Sequence, residues 1–281
     1  MFSPIALSVI SIGNQVCLLF IPHGGLIFVF YNARYITIIA KDTEHCIMAE
    51  ITKEGITVSG IITGCFTIND NDYRCTSILT YDDGTKYVCK YSLPELMDYD
   101  TVARLAAADL PHVVKIKRFI SGSMTTEFVE GEDLSKATIP EGKMFDVIFQ
   151  ICDGLSELHD LGIIHRDIKP ANIILGLDGV VKITDLENIR YTNGGKIVDP
   201  NYPGPQEYAA LEMQLLHEVD HRADIYSLGA TIDEIIKHDY DKYPIRNIIN
   251  KCMEVQPDDR YSSVKEVKEE IIKVAQMFNN D

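Results

Sequence analysis

The chain has 281 residues, a net charge of −16 and no tryptophan. That length holds one catalytic unit with a short extension, and no repeat or low-complexity tract competes with this reading. The acidic balance excludes nucleic acid as the main partner, since a phosphate backbone requires clustered Lys and Arg; it fits basic peptides, and equally a plainly solvated acidic surface.

Along the chain, no charged side chain precedes Arg34. The apolar runs Val16–Ile21, Leu26–Tyr31 and Tyr35–Ala40 are short, and Pro22-His23-Gly24-Gly25 separates the first two. A bilayer span needs about 20 unbroken apolar residues, so the spacing predicts β-hairpins instead. Membrane contact through residues 1–33 stays open as an alternative, as does a poorly ordered segment. No basic stretch precedes the apolar start, which disfavours a signal peptide. His23 is read as a turn residue. Gly60 and Gly64 are read as bends or bulges. The segment Ile68-Asn69-Asp70-Asn71-Asp72-Tyr73 reads as a hairpin tip, because Asn and Asp tolerate left-handed backbone. The turn Asp82-Asp83-Gly84 then leads into the strand-like run Lys86–Tyr91, which carries Lys90.

Met144, Ile148, Ile151, Leu155 and Leu158 step by four and three, which predicts a buried helix with Gly162 at its C-terminal cap. The following run, Ile164-His165-Arg166-Asp167-Ile168-Lys169-Pro170-Ala171-Asn172, places a carboxylate, an ammonium and a carboxamide at short fixed offsets. Phosphoryl transfer needs that set: Asp167 can accept the proton of an attacking hydroxyl, Lys169 can neutralise the transferring group, and Asn172 can offer an oxygen to a divalent cation. An alternating run, Val180–Thr184, ends at Asp185-Leu186-Glu187. Ile225, Leu228, Ile232 and Ile235 recur at helical steps after Asp224. The last helix opens on a capping box of Ser263 and Glu266 and buries Val264, Val267, Ile271 and Val274. The seven Cys, at 17, 46, 65, 75, 89, 152 and 252, are odd in number and form no closely spaced ligand pairs. They read as small core residues in a reducing cytoplasm.

From Ile164 to Asn172, and in the order of the motifs around it, the sequence resembles the eukaryotic-type (Hanks-type) serine/threonine protein kinases. The resemblance implies an α+β, bilobal fold: a small β-rich N-lobe at 55–127, a hinge at 127–133 and a mainly α-helical C-lobe at 134–277. Residues 1–54 would be a β-rich extension and 278–281 a tail. It implies ATP and Mg²⁺, with Mn²⁺ as the alternative ion, and a protein substrate with a Ser or Thr acceptor. Asp167 and Lys169 would be catalytic, while Asn172 and Asp185 would hold the metal. Lys90 would contact phosphates, and Thr126, Glu127 and Val129 would line the adenine pocket. Tyr208-Ala209-Ala210-Leu211-Glu212 resembles the end of the activation segment, with Leu211 where Pro is usual. Asp224 would brace the catalytic loop, and Glu212 and Arg260 would pair. The sequence sets no oligomeric state.

Four departures bear on activity. The place of the glycine-rich loop, residues 68–73, contains no glycine. The helix glutamate that pairs with the lysine aligns with Thr101, so Asp98 or Asp100 would have to replace it, unless Asp185 holds Lys90. In the metal-binding triplet, Leu186 and Glu187 replace an aromatic and a glycine, and Glu187 lacks the backbone freedom of glycine. Pro205 stands where a Thr is usual, and Thr192 is the favoured candidate for a phosphorylation read by Arg166. The expected activity is phosphoryl transfer from ATP to Ser or Thr hydroxyls. The alternatives are a pseudokinase scaffold and, against the presence of Lys169, a small-molecule kinase.

Overall fold

The computed structural model describes residues 8–12, 16–20, 26–32, 35–41, 46–52, 55–71, 74–91, 97–120, 122–140, 142–198, 207–215 and 218–278. His23, Glu95, Tyr202, Pro205, the hairpin tip at 72–73 and the tail at 279–281 lie outside them. The chain divides into two compact units, Met1–Pro94 with Ile116–Phe128, and Glu95–Lys115 with Val129–Asp281.

The first unit is an antiparallel meander. Its strands are β1 (Ser8–Ile12), β2 (Val16–Phe20), β3 (Leu26–Asn32), β4 (Tyr35–Lys41), β5 (Cys46–Thr52), β6 (Gly55–Asn71), β7 (Arg74–Tyr81) and β8 (Lys86–Tyr91). β9 (Ile116–Ile120) and β10 (Ser123–Glu127) complete it, and β10 lies between β8 and β9. The three apolar runs before residue 41 coincide with β2, β3 and β4 to within a residue at either end. β6 is long, and its ladders change register at Gly60 against β5 and at Gly64 against β7. These are β-bulges, where an extra residue bends the strand and increases its local right-handed twist. Between β7 and β8 the chain turns with Gly84 at φ 83°, and Asp83 accepts from the Thr85 backbone N–H. Leu79, Cys89, Ile116 and Met124 are buried, with Ser77, Ser123 and Thr125 among them. The Ser123 and Thr125 hydroxyls lie within hydrogen-bond reach of the Cys89 sulfur.

The second unit is mainly helical. It contains α1 (Tyr99–Ala106), β11 (Gly131–Asp133), α2 (Met144–Asp160), β12 (Ile163–Ile164), β13 (Ile173–Gly176), β14 (Val181–Ile183) and β15 (Arg190–Tyr191). α3 (Leu211–Gln214), α4 (Arg222–Ile235), α5 (Arg246–Cys252) and α6 (Val264–Phe278) follow. The stripe of α2 is buried as its spacing predicts, and Gly162 closes the helix end at φ 72° with its N–H on the His159 carbonyl. α4 is buried over most of its length, its polar Asp224, Ser227 and Thr231 included. β11, β13 and β14 form one small sheet, and β12 pairs with β15. The segment His112–Val114 bonds to both sides of Ile183, which fixes β14 immediately before Asp185.

The capping box differs in detail from the sequence expectation. Ser263 Oγ accepts from the Glu266 N–H, but the Glu266 carboxylate reaches back to Ser262 rather than to Ser263.

Gly154, inside α2, faces His112: a Cβ there would lie 2.8 Å from the His112 carbonyl oxygen. Gly154→Ala would gain about 1 kcal/mol of helix propensity. It should nevertheless destabilise by about 1–3 kcal/mol, because backbone cannot yield as a side chain can. Thermal unfolding of the variant checks the sign; an increase in Tm would contradict the close packing.

Candidate active site

The loop that follows β12 is built on buried polar groups. His165, Arg166, Asp167 and Asn172 are all buried, and a 3₁₀ turn at Pro170–Asn172 folds Asn172 back over Asp167. Lys169 Nζ lies 2.9 and 2.8 Å from the two Asp167 carboxylate oxygens. Asn172 Nδ2 donates to the Asp167 carbonyl at 2.8 Å and to its carboxylate at 2.9 Å. Both amide hydrogens are thereby used, and Asn172 Oδ1 remains as a hard oxygen donor, the type that Mg²⁺ takes. His165 Nδ1 accepts from the Asp167 N–H, so its Nε2 carries the proton and donates to the Thr184 carbonyl at 2.9 Å.

Thr184 brings in the second carboxylate. Its N–H donates to the Asn172 carbonyl at 2.9 Å, and its hydroxyl reaches the same oxygen. Asp185, next in the chain, sits at φ 63°. A non-glycine residue in the left-handed region is held there by its surroundings, and here those include the Thr184 bonds immediately before it. The second unit therefore brings together Asp167, Lys169, Asn172 and the backbone that carries Asp185. Among the described residues no group of three or more His, Cys, Asp or Glu could hold a metal ion by itself. An ion bound by Asn172 and Asp185 would complete its shell with water and phosphate oxygens, as Mg²⁺ usually does.

The other predicted residues are placed by β8 and β10. Lys90 is half-buried on β8, opposite Thr76 of β7 and Met124 of β10. Thr126 and Glu127 end β10 opposite Val88 and Tyr87, and Lys86 lies over the Phe128 ring at 5.4 Å. Val129 is half-buried and opens the second unit.

Asp224, on α4, is the fully buried carboxylate under the loop. It accepts from the backbone N–H groups of His165 (2.8 Å) and Arg166 (2.7 Å), and His159 Nε2 lies 2.9 Å away. Burial pushes the Asp224 carboxyl up, but the hydrogen bond and charge of His159 and the His165 N–H outweigh it, and the pKa falls below the ordinary value. Arg166 is held at φ 71°, and its guanidinium turns to the Asn188 carbonyl. His159 was missed in the sequence. Its signal is a polar residue directly after Leu158 in an otherwise apolar stripe.

Arg260 and Glu212 meet as expected, at 2.7 and 2.9 Å. Arg260 also donates to the carbonyls of Glu254, Arg222 and Val255, so every one of its N–H groups has a partner. Two other expectations are corrected. Asp98 is no substitute for the helix glutamate: it is the N-cap of α1, and its two oxygens accept from the Thr101 N–H and hydroxyl. Thr192, expected as a solvated loop residue or a phosphorylation candidate, is half-buried, and both its N–H and its Oγ1 donate to the Gly162 carbonyl. Of the described cysteines, Cys89, Cys152 and Cys252 are buried and free, and burial pushes the Cys152 thiol up to about 12. Such a thiol is inert at neutral pH.

The family profile of the protein kinase domain matches residues 99–276. A probable serine/threonine-protein kinase of Clostridium acetobutylicum is similar at 30% identity over 189 residues, 55% of this chain and 29% of that protein. The serine/threonine-protein kinase PknB of Mycobacterium tuberculosis is 26% identical over 213 residues, 63% of this chain and 32% of that protein. Nek1 of Mus musculus, also a serine/threonine-protein kinase, is 30% identical over 200 residues, 64% of this chain and 17% of that protein. The chain thus spans about a third or less of the length of these curated relatives.

Two outcomes follow from the buried charges. Arg260→Ala strands the Glu212 carboxylate and should cost about 3–5 kcal/mol, measurable by denaturant unfolding. The Asp224 pKa is lower in the folded chain than in the unfolded one, so its stabilisation is complete above pH about 4 and is lost as pH falls through the lowered folded value. Tm measured from pH 6 down to about pH 2 should therefore fall less steeply for Asp224→Asn than for the parent.

Proposed function

The chain belongs to the protein kinase family, and we propose that it transfers the γ-phosphoryl group of ATP to Ser or Thr hydroxyls of protein substrates. The observation that carries this reading is the contact of Asp167 with Lys169 and Asn172 on one buried loop. The names and the sequence similarity of the kinases it matches support it further.

In this reading the Asp167 carboxylate orients the acceptor hydroxyl and takes its proton as the phosphorus–oxygen bond forms. Lys169, already paired with Asp167, neutralises charge on the transferring group. Asn172 and Asp185 would hold Mg²⁺, which supplies charge neutralisation to the phosphates when bound. Lys90 is assigned to the phosphates, and the backbone groups of Glu127 and Val129, with Thr126 behind them, to the adenine. We place the catalytic domain at 55–277 and the site of action in the cytoplasm. Among the described residues no helix is long and apolar enough to cross a membrane.

Incubation of the chain with labelled ATP, Mg²⁺ and a basic acceptor protein tests the reading. Asp167→Ala should lower transfer by about 10²–10⁴-fold. Equal labelling by parent and variant would reject Asp167 as the base. Lys90→Met should abolish transfer while leaving Tm close to that of the parent. Nucleotide-induced thermal stabilisation without any transfer would point instead to a scaffold.

A further inference from the structure

We propose that Arg104 is a positioning residue that fastens α1 to the catalytic unit through the ring of Tyr191. The proposal rests on the kinase reading for its kinetic consequence, but not for the fastening itself.

The resemblance gives the helix before β9 a glutamate that pairs with the lysine at the place of Lys90. α1 has no glutamate: it reads Tyr99-Asp100-Thr101-Val102-Ala103-Arg104-Leu105-Ala106. Thr101 stands at the aligned position and is buried, while Asp98 is committed to the cap. Yet α1 belongs to the same compact unit as the loop. Its Val102 and Leu105 are buried, and one cationic contact adds to that packing.

Arg104 is in the last turn of α1, and its guanidinium carbon lies 4.0 Å from the centroid of the Tyr191 ring. A cation at that height over an aromatic face is attracted by the ring quadrupole. Tyr191 is itself fixed on three sides. Its backbone pairs β15 with Ile163 of β12, its hydroxyl donates to Asn193 Oδ1 at 2.7 Å, and its ring edge covers Gly162 so closely that a Cβ there would lie 3.0 Å from Cε2. β12 runs directly into His165, Arg166 and Asp167. A continuous path therefore runs from α1 through Arg104, the Tyr191 ring and the Gly162 turn to the loop that carries the base. The ring face is the element that Arg104 uses. The hydroxyl serves Asn193 and is not part of the fastening.

The test is hydrogen exchange of the α1 amides, with the α2 amides as internal reference, beside steady-state kinetics on the full chain. Arg104→Gln keeps the stem and removes the charge. It should speed α1 exchange by about two- to five-fold, as expected for loss of one exposed cation–π contact, and leave α2 unchanged. It should lower kcat by a similar factor with KM for the acceptor unchanged. Tyr191→Phe keeps the ring and should match the parent in both measurements. Tyr191→Leu should match Arg104→Gln, and combining the two should add nothing further. Unchanged α1 exchange in Arg104→Gln, or an effect of Tyr191→Phe as large as that of Tyr191→Leu, would overturn the fastening. Faster α1 exchange with unaltered kcat would overturn the positioning role. A parent chain without transfer activity, but with this exchange pattern, would reject the kinase reading and support the fastening.

Discussion

The geometry of the catalytic loop depends on a single buried carboxylate. Asp224 takes the two backbone N–H groups of His165 and Arg166, which no strand or helix partner could otherwise satisfy at that bend. An unpaired buried N–H costs about 1–3 kcal/mol, so two of them would open the loop. The same bonds hold Arg166 in the left-handed region, where a residue with a Cβ does not settle unaided. That unusual turn sends the chain from Ile164 into Asp167 with the carboxylate facing Lys169 and Asn172. Catalytic geometry here is thus a consequence of where α4 puts one acid.

α4 is in turn located by a second buried acid. Arg260 donates to the Arg222 carbonyl at the first residue of α4, and its remaining N–H groups grip Glu212 and two further carbonyls. Arg222 adds its own pairs with Asp220 and Asp258. The Asp258 pair is largely exposed and contributes little, whereas the Arg260 pair is dry and hydrogen-bonded throughout. Breaking it would release α3 and the start of α4 together, two residues from Asp224. α3 and α4 are therefore coupled through one guanidinium, a short and physically continuous route.

Much of this was legible in the sequence because short offsets on a constrained loop leave few arrangements: Asp167, Lys169 and Asn172 could hardly avoid one another. The stripes of α2 and α4 were legible by periodicity. The Glu212–Arg260 pair is separated by 48 residues, and only the resemblance to a known family could join them. Other features were hidden because several partners compete for one side chain. Asp98 reads as a possible substitute acid, but a carboxylate three residues before a backbone N–H at a helix start is captured locally, and local capture wins. Thr192 reads as a free hydroxyl until the Gly162 turn supplies a carbonyl. Glu266 had two serines within reach, and backbone geometry chose Ser262.

The departures from the family pattern leave Asp167, Lys169, Asn172 and Asp185 in place. Glu187 stands in place of a glycine, and the structure holds it outside the left-handed region, so this arrangement of the triplet does not require glycine. A conformation with positive φ at Glu187 would cost more than it costs glycine, because a Cβ penalises that region. The same segment is tied down at Thr184 and again at Thr192, and both ties are hydrogen bonds to backbone carbonyls that no phosphate needs to establish. The loop of Asp167 and the backbone next to Asp185 are held by hydrogen bonds within the chain, to Asp224 and to the Asn172 carbonyl.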